Sequence, residues 1–232
     1  MAILKRGLRR GLLDRVYGKL LHKYYVNDLW LDIRLAAKRE AVEYVLAHMR
    51  DAQVLRDRWA LLKFGLDRAP AAGLVLEFGV AGGDSINHLA ALTTRVIHGF
   101  DSFEGLPADW RGTAEGRGKF TTRGKLPRVA HNVVLHPGWF DTTLPPFLAA
   151  TNERAAFIHI DCDIYESTRT AFELLKDRIV AGTVIVFDEY FNYPAWRLHE
   201  FKAFQEFIGA GQRPYRYIGY SAEKGHVAVR ME

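Results

Sequence analysis

The segment FIHIDCDIYEST, Phe157 to Thr168, sets two aspartates around the only cysteine of the chain, at the end of an apolar run. A buried carboxylate without a partner is costly, so Asp161 and Asp163 need a cation nearby: an arginine, a metal ion or a cationic ligand. Two residues apart in an extended strand, they point to the same side, and Cys162 points the other way into the core. Asp163 also has a structural reading, as an acid favoured by the dipole of the helix that follows. A further apolar run, TVIVFDEY, ends in acids as well, Asp188 and Glu189.

The stretch LEFGVAGGDS supplies Gly79, Gly82 and Gly83 between a strand and a helix. Glycines there allow a sharp turn and the close approach of a ligand, and the helix start favours negative groups. The spacing is not that of the dinucleotide fingerprint, because Ala81 takes the second glycine position. Asp101 follows eighteen residues after Gly83, at the end of the next strand. An acid in that place accepts hydrogen bonds from both hydroxyls of a ribose. Turn and acid together point to an adenosine-containing ligand.

Such residues need a scaffold that brings strand ends together. After Pro70 the strands GLVLEFG, VIHGFDSF, NVVLHPGWF, AAFIHIDCD and TVIVFDEY come in turn, most of them followed by a helix, and the tail reads as a hairpin of YRYIGYS and HVAVRM. This alternation specifies an α/β, Rossmann-like fold with a mainly parallel sheet and helices on both faces. Ligands bind such sheets beyond the carboxyl ends of the strands, so Glu77, Asp101, Asp161, Asp163, Asp188 and Glu189 are expected along one rim. Before Pro70, LAAKREAVEYVLAHMR and QVLRDRWALLKFGLDRA read as helices. The expected organisation is a helical extension over 1–70 and the α/β domain over 71–232. The glycine-rich, basic stretch RGTAEGRGKFTTRGKLPRV is a long connection of the kind that forms lids, and its charges fit an anionic substrate or a solvated loop.

With 49% hydrophobic and 25% charged residues, the 232-residue chain has the composition of an ordinary globular protein. One cysteine excludes an internal disulfide framework and suits a reducing, cytoplasmic setting. No apolar run has the length of a membrane span. The net charge of +5 is modest, and nucleic acid is not the expected partner. The charge is concentrated in Met1–Lys23, with seven Lys or Arg against one Asp. That segment reads as a helical arm packing its leucines on the domain, or as a peripheral contact for an anionic membrane or an acidic partner.

The segments EFGVAGGDS, FDSFEGLP, GWFDTTLPPF, IDCDIYEST and VIVFDEY, in this order, resemble macrocin O-methyltransferase-like proteins, class I methyltransferases that use S-adenosylmethionine. The resemblance runs from about Leu74 to Tyr190 and implies a seven-stranded sheet whose last strand is antiparallel. It implies that Glu77, Gly79 and Gly83 hold the methionine part of the cofactor, with Gly82 and Ser85 in the same turn. Asp101 would take the ribose beside Ser102, and Gly138, Trp139 and Phe140 would lie near the adenine. Family members that methylate sugar hydroxyls use a magnesium ion held by carboxylates, at positions matching Asp161, Asp188 and Glu189. The family often has Asp-Asp where this chain has Asp188-Glu189.

Magnesium takes oxygen ligands, and a hydroxyl bound to it becomes more acidic, which helps a sugar alcohol act as nucleophile. The candidate base is Asp161, with His199 in YPAWRLHEF second. The expected activity is methyl transfer to a hydroxyl of a glycosylated or otherwise hydroxylated small molecule, by a monomer or a homo-oligomer. A non-catalytic binding or assembly subunit is one competing reading. A nucleotide-dependent oxidoreductase is the other, and the missing dinucleotide fingerprint argues against it.

Overall fold

The computed structural model describes residues 15–26 and 28–232, so most of the basic N-terminal stretch lies outside the described residues. Its elements run α1 (Leu29–His48), β1 (Gln53–Leu55), α2 (Arg58–Leu66), β2 (Leu74–Phe78), α3 (Asp84–Leu92), β3 (Ile97–Asp101) and β4 (Val133–Pro137). They continue with α4 (Phe140–Ala149), β5 (Ala155–Ile160), α5 (Tyr165–Leu175), β6 (Val184–Phe187), α6 (Glu200–Gly211), β7 (Tyr215–Ser221) and β8 (Val227–Met231). One sheet holds every strand in the order β1-β7-β8-β6-β5-β2-β3-β4. β8 is antiparallel to both its neighbours, and the remaining pairs are parallel.

The near-continuous apolar runs of β2, β5 and β6 follow from coverage on both faces. Side chains alternate across the sheet, so Leu76, Phe78, Ile158, Ile160, Ile185 and Phe187 join the core beneath α4, α5 and α6. Val75, Phe157, Val184 and Val186 join the opposite core with Leu61 and Leu62 of α2 and Ile86 and Leu89 of α3. Each such side chain withdrawn from water contributes about 1.5–3 kcal/mol.

The seven expected strands are β2 to β8, and an eighth, β1, is added. Gln53–Leu55 reads in sequence as part of a helix, but it pairs in parallel with Gly219–Ser221 at the sheet edge. The reason is local. Asp57 caps α2 by accepting a hydrogen bond from the Ala60 N–H (2.9 Å), which starts the helix only at Arg58 and leaves the preceding residues extended. The helix after β5 likewise ends earlier than expected, at Leu175 rather than near Gly182.

α1 is attached through its C-terminal half. Ala37 and Ala41 are its buried residues, and the Tyr44 hydroxyl lies 2.6 Å from that of Tyr217. Tyr217 in turn lies 2.7 Å from the hydroxyl of Tyr190, the residue that follows Glu189. Leu29, Trp30, Ile33 and Leu46 remain exposed. Among the described residues no helix is long and apolar enough to cross a membrane.

In the sheet order β2 lies between β3 and β5, which marks the point where the direction of strand addition reverses. The glycine turn after β2 and Asp161 after β5 therefore face a common crevice.

Candidate active site

The crevice is a cavity of about 600 Å³. Its wall includes the glycine turn at one end and Asp161, Asp163, Asp188 and Glu189 at the other.

At the glycine end the backbone is held by the Asp101 carboxylate. Asp101 Oδ2 accepts hydrogen bonds from the N–H groups of Val80 (2.7 Å) and Ala81 (2.8 Å), and Oδ1 accepts from Phe103 N–H (2.7 Å). A carboxylate has about four acceptor positions, so Asp101 keeps capacity for a ligand hydroxyl. Gly79 has φ +90°, and a Cβ there would lie 1.8 Å from the Asp161 carbonyl oxygen. Gly83, at φ +88°, opens α3 in the left-handed region. Gly82, Ser85, Ser102, Trp139 and Phe140 line the cavity. Gly138 stands behind it, donating its N–H to the Asp101 carbonyl (2.9 Å).

Glu77 lies beneath this turn rather than in the wall. It is fully buried, accepting hydrogen bonds from Ser85 Oγ (3.0 Å) and from His159 Nδ1 (2.9 Å). His159 is its cross-strand neighbour in the β2–β5 register. Burial works against a charge on His159, yet the nearby carboxylate of Asp188 (3.9 Å) and the hydrogen-bonded carboxylate of Glu77 raise its pKa to about 10. The imidazolium thus lies between the glycine-turn end of the rim and the acid end.

The acid end carries more negative than positive charge. Arg58, the first residue of α2, reaches Asp188 Oδ2 (3.2 Å) and Asp161 Oδ2 (3.7 Å). Burial opposes ionisation of Asp188, but the neighbouring imidazoles of His159 (3.9 Å) and His226 (3.1 Å) hold it well below the usual carboxylate range. Burial, followed by the charge of Asp188, raises Asp161 to about 7. Burial and neighbouring carboxylates push Asp163, Glu189 and Glu200 well above their ordinary values. Glu189 Oε2 and Glu200 Oε1 are buried without a hydrogen-bond partner. Ligand oxygens of Asp161, Asp163 and Glu189 all fall within 4.8 Å of one another. An all-oxygen set with orphaned acceptors suits a hard divalent cation.

Asp163 immediately precedes Ile164, the N-cap of α5. α5 has no side-chain cap, and Asp163 sits at φ +64°, a conformation aspartate tolerates, with its carboxylate turned into the acid group. Cys162 packs in the core as its strand position required.

His199 is set apart from the cavity wall. Its Nε2 donates to the Arg111 carbonyl (2.9 Å), and burial lowers its pKa, so it anchors the long connection after β3. That connection does cover the cavity, but through Trp110 and Phe120 rather than through its basic residues. His136 is tied to His98 (3.0 Å) and His88 packs on Trp59, both structural. Arg58 and His159 are the residues that motif reading missed. Only His159 left a trace, as a polar residue in an apolar strand directly opposite another, Glu77.

A Rossmann-like sheet with a glycine turn after one strand and an acid at the end of the next is the arrangement that the resemblance to class I methyltransferases implied. Residues 76–190 match the family described as a methyltransferase domain. Over 144 residues it is 34% identical to the 8-demethyl-8-(2,3-dimethoxy-alpha-L-rhamnosyl)-tetracenomycin-C 4'-O-methyltransferase of Streptomyces olivaceus. The aligned part is 51% of this chain and 53% of that protein, so the chain spans about half the length of this curated relative. Among solved structures it is similar to CalS11, a calicheamicin methyltransferase, with 23% identity, 91% and 90% of the two chains covered and a TM-score of 0.59. It is also similar to the O-methyltransferase NovP, at 20% identity, 75% and 78% coverage and a TM-score of 0.52. At these identities the two structures establish a shared fold.

Proposed function

We propose that the chain is an S-adenosylmethionine-dependent O-methyltransferase acting on a hydroxyl of a glycosyl or related hydroxylated metabolite, assisted by magnesium. The observation that carries this reading is one cavity that has a glycine turn braced by Asp101 at one end and uncompensated buried acids at the other. The curated relative is named for methylating a rhamnosyl group, and a structure of CalS11 is described as a TDP-rhamnose 3'-O-methyltransferase, which supports a sugar hydroxyl as acceptor.

When bound, the cofactor supplies an activated methyl group and magnesium lowers the pKa of a bound hydroxyl. The chain does the rest. Asp101 and the glycine turn orient the nucleoside, and Glu77 with Ser85 keeps the turn in place. Asp161, at the junction of the two ends, receives the hydroxyl proton on its carboxylate. Asp161 and Glu189 are the acids placed to hold the cation. Trp110 and Phe120 cover the cavity and exclude water.

Calorimetric titration with S-adenosylhomocysteine tests the cofactor reading. Saturable binding is expected in the range of about 1 μM to 1 mM usual for enzyme ligands; folded protein that gives no heat there would refute it. Methyl transfer to a panel of nucleotide sugars and glycosides is expected to fall sharply in EDTA and to return with Mg²⁺. Equal rates in both would remove the metal from the proposal. A second reading, a binding or assembly subunit, is favoured by the exposed Leu29, Trp30 and Ile33 on α1. Cofactor binding without turnover on the whole panel would support it.

A further inference from the structure

The face of α1 that packs on the domain does not stop where the domain does. Ala37, Ala41 and Tyr44 fall on one side of the helix at three- and four-residue spacing, and Ala37 and Ala41 are its buried residues. The same side continues toward the N-terminus as Ile33 and Trp30, which are 47% and 41% exposed, with Leu29 beside them at 75%. Val26, just ahead of the helix, adds a further exposed apolar side chain at 65%. A contiguous apolar patch of this kind marks a contact surface.

What lies ahead of the patch sets the chemistry of the partner. Residues 15–21 are helical and lead into His22–Val26. On this stretch Arg15, Lys19, His22 and Lys23 line one shallow groove, and Val16, Tyr17 and Leu20 are exposed alongside them. Over Met1–Lys23 the sequence places seven Lys or Arg against one Asp. Of the acids nearest the patch, Asp28 is engaged as the cap of α1, accepting from the Leu31 N–H (3.2 Å), and Asp32 lies off the apolar side at the helical period.

Exposed apolar side chains beside a concentration of cations fit the surface of an anionic bilayer. The former enter the headgroup boundary and the latter meet lipid charge. Trp30 and Tyr17 are of the residue types that favour that boundary. A second copy of the chain is a poorer fit, because a symmetric contact would bring two basic segments together. Nucleic acid would use the cations but leave the apolar side chains uncovered.

We propose that residues 15–33 form a peripheral contact for an anionic membrane surface, with Leu29, Trp30 and Ile33 entering the boundary and Arg15 and Lys19 facing the headgroups. Among the described residues no helix is long and apolar enough to span a bilayer, so the contact lies along its surface. None of these residues lines the cavity at the strand ends, so the contact is separable from the cofactor and metal readings.

The test is co-sedimentation of the full chain, at about 0.1 M salt, with vesicles of phosphatidylcholine alone or mixed equally with phosphatidylglycerol. The wild type is expected to bind the anionic vesicles at least about tenfold more strongly than the neutral ones. Arg15→Glu combined with Lys19→Glu should weaken that binding about 30-fold or more, since each cation near such a surface contributes a factor of about five. Trp30→Ser combined with Ile33→Ser should weaken it at least about tenfold. All four positions are exposed, so both double variants should melt within about 2 °C of wild type. Wild type that binds neither vesicle, or both equally, overturns the proposal, and so does retained binding in either double variant. Light scattering identifies the rival occupant. An oligomer that Trp30→Ser with Ile33→Ser dissociates, in a chain that binds no vesicles, would assign the patch to a second copy instead.

Discussion

Gly79→Ala is expected to abolish S-adenosylhomocysteine binding and to lower stability by about 3 kcal/mol or more. Two independent costs converge on this position. The backbone is at φ +90°, where an L side chain is strained, and the new Cβ would lie 1.8 Å from the Asp161 carbonyl oxygen. The obstacle is main chain on both sides, because the turn after β2 presses against the end of β5. Relief requires the two strand ends to separate, which moves the glycine turn away from Asp101 and Asp161 away from the cavity. Gly82→Ala is the matched control, since nothing lies within 4 Å of its Cβ position and its φ is ordinary. Calorimetry and thermal melting of the two variants decide the matter. Gly79→Ala binding within threefold of wild type would show that the turn is not under the constraint described.

His159→Gln is expected to cost about 3–5 kcal/mol in metal-free protein, the usual penalty for breaking a fully buried ion pair. Ser85 would still donate to Glu77, but the carboxylate would lose its positive partner. For a chain of this size the melting temperature should fall by about 10 °C. A fall of less than about 2 °C would mean that Glu77 is not relying on an imidazolium. The pH dependence provides a second readout.

An unfolded histidine titrates near pH 6.5 and this one near 10, so its stabilisation is complete below about pH 6.5 and is lost as pH rises through about 10. Asp163, Glu189 and Glu200 act in the same direction. Their raised folded-state values mean that they destabilise increasingly once pH exceeds about 4. Asp188, depressed by its partners, gives up its contribution only in acid. Wild type in EDTA should therefore melt progressively lower from pH 6.5 to 10, and His159→Gln should show a flatter decline. Parallel curves for the two proteins would contradict the pairing.

What the sequence disclosed was whatever local pattern encodes. Strand ends carrying acids, the glycine turn and the acid eighteen residues beyond it, and the terminal hairpin were all readable as short segments. Arg58 was hidden because its partners lie 103 and 130 residues away, as the numbers of Asp161 and Asp188 show, and nothing in RDRWALLKFG marks a residue bound for a cavity. β1 was hidden because three residues are too few for an alternation to declare itself, although Asp57 before a helical run was a usable cap signal.

His199 misled for the opposite reason. Closeness to Asp188 and Glu189 along the chain did not place it in the wall, since the turn at Trp196–Leu198 redirects it toward Arg111. Asp161 and Asp163 come together as their spacing suggested, although by a turn at φ +64° rather than by an extended strand.

Arg58 and β1 both arrive from the segment ahead of Pro70, and Leu61 and Leu62 of that segment are buried in the core beneath the sheet. The segment therefore shares its thermodynamic fate with the rest of the chain. Melting it would uncover an apolar face, open a sheet edge and strip the rim of its arginine at once. Residues 53–66 and the sheet should unfold in one cooperative transition, and amide hydrogens of α2 should exchange as slowly as those of β5.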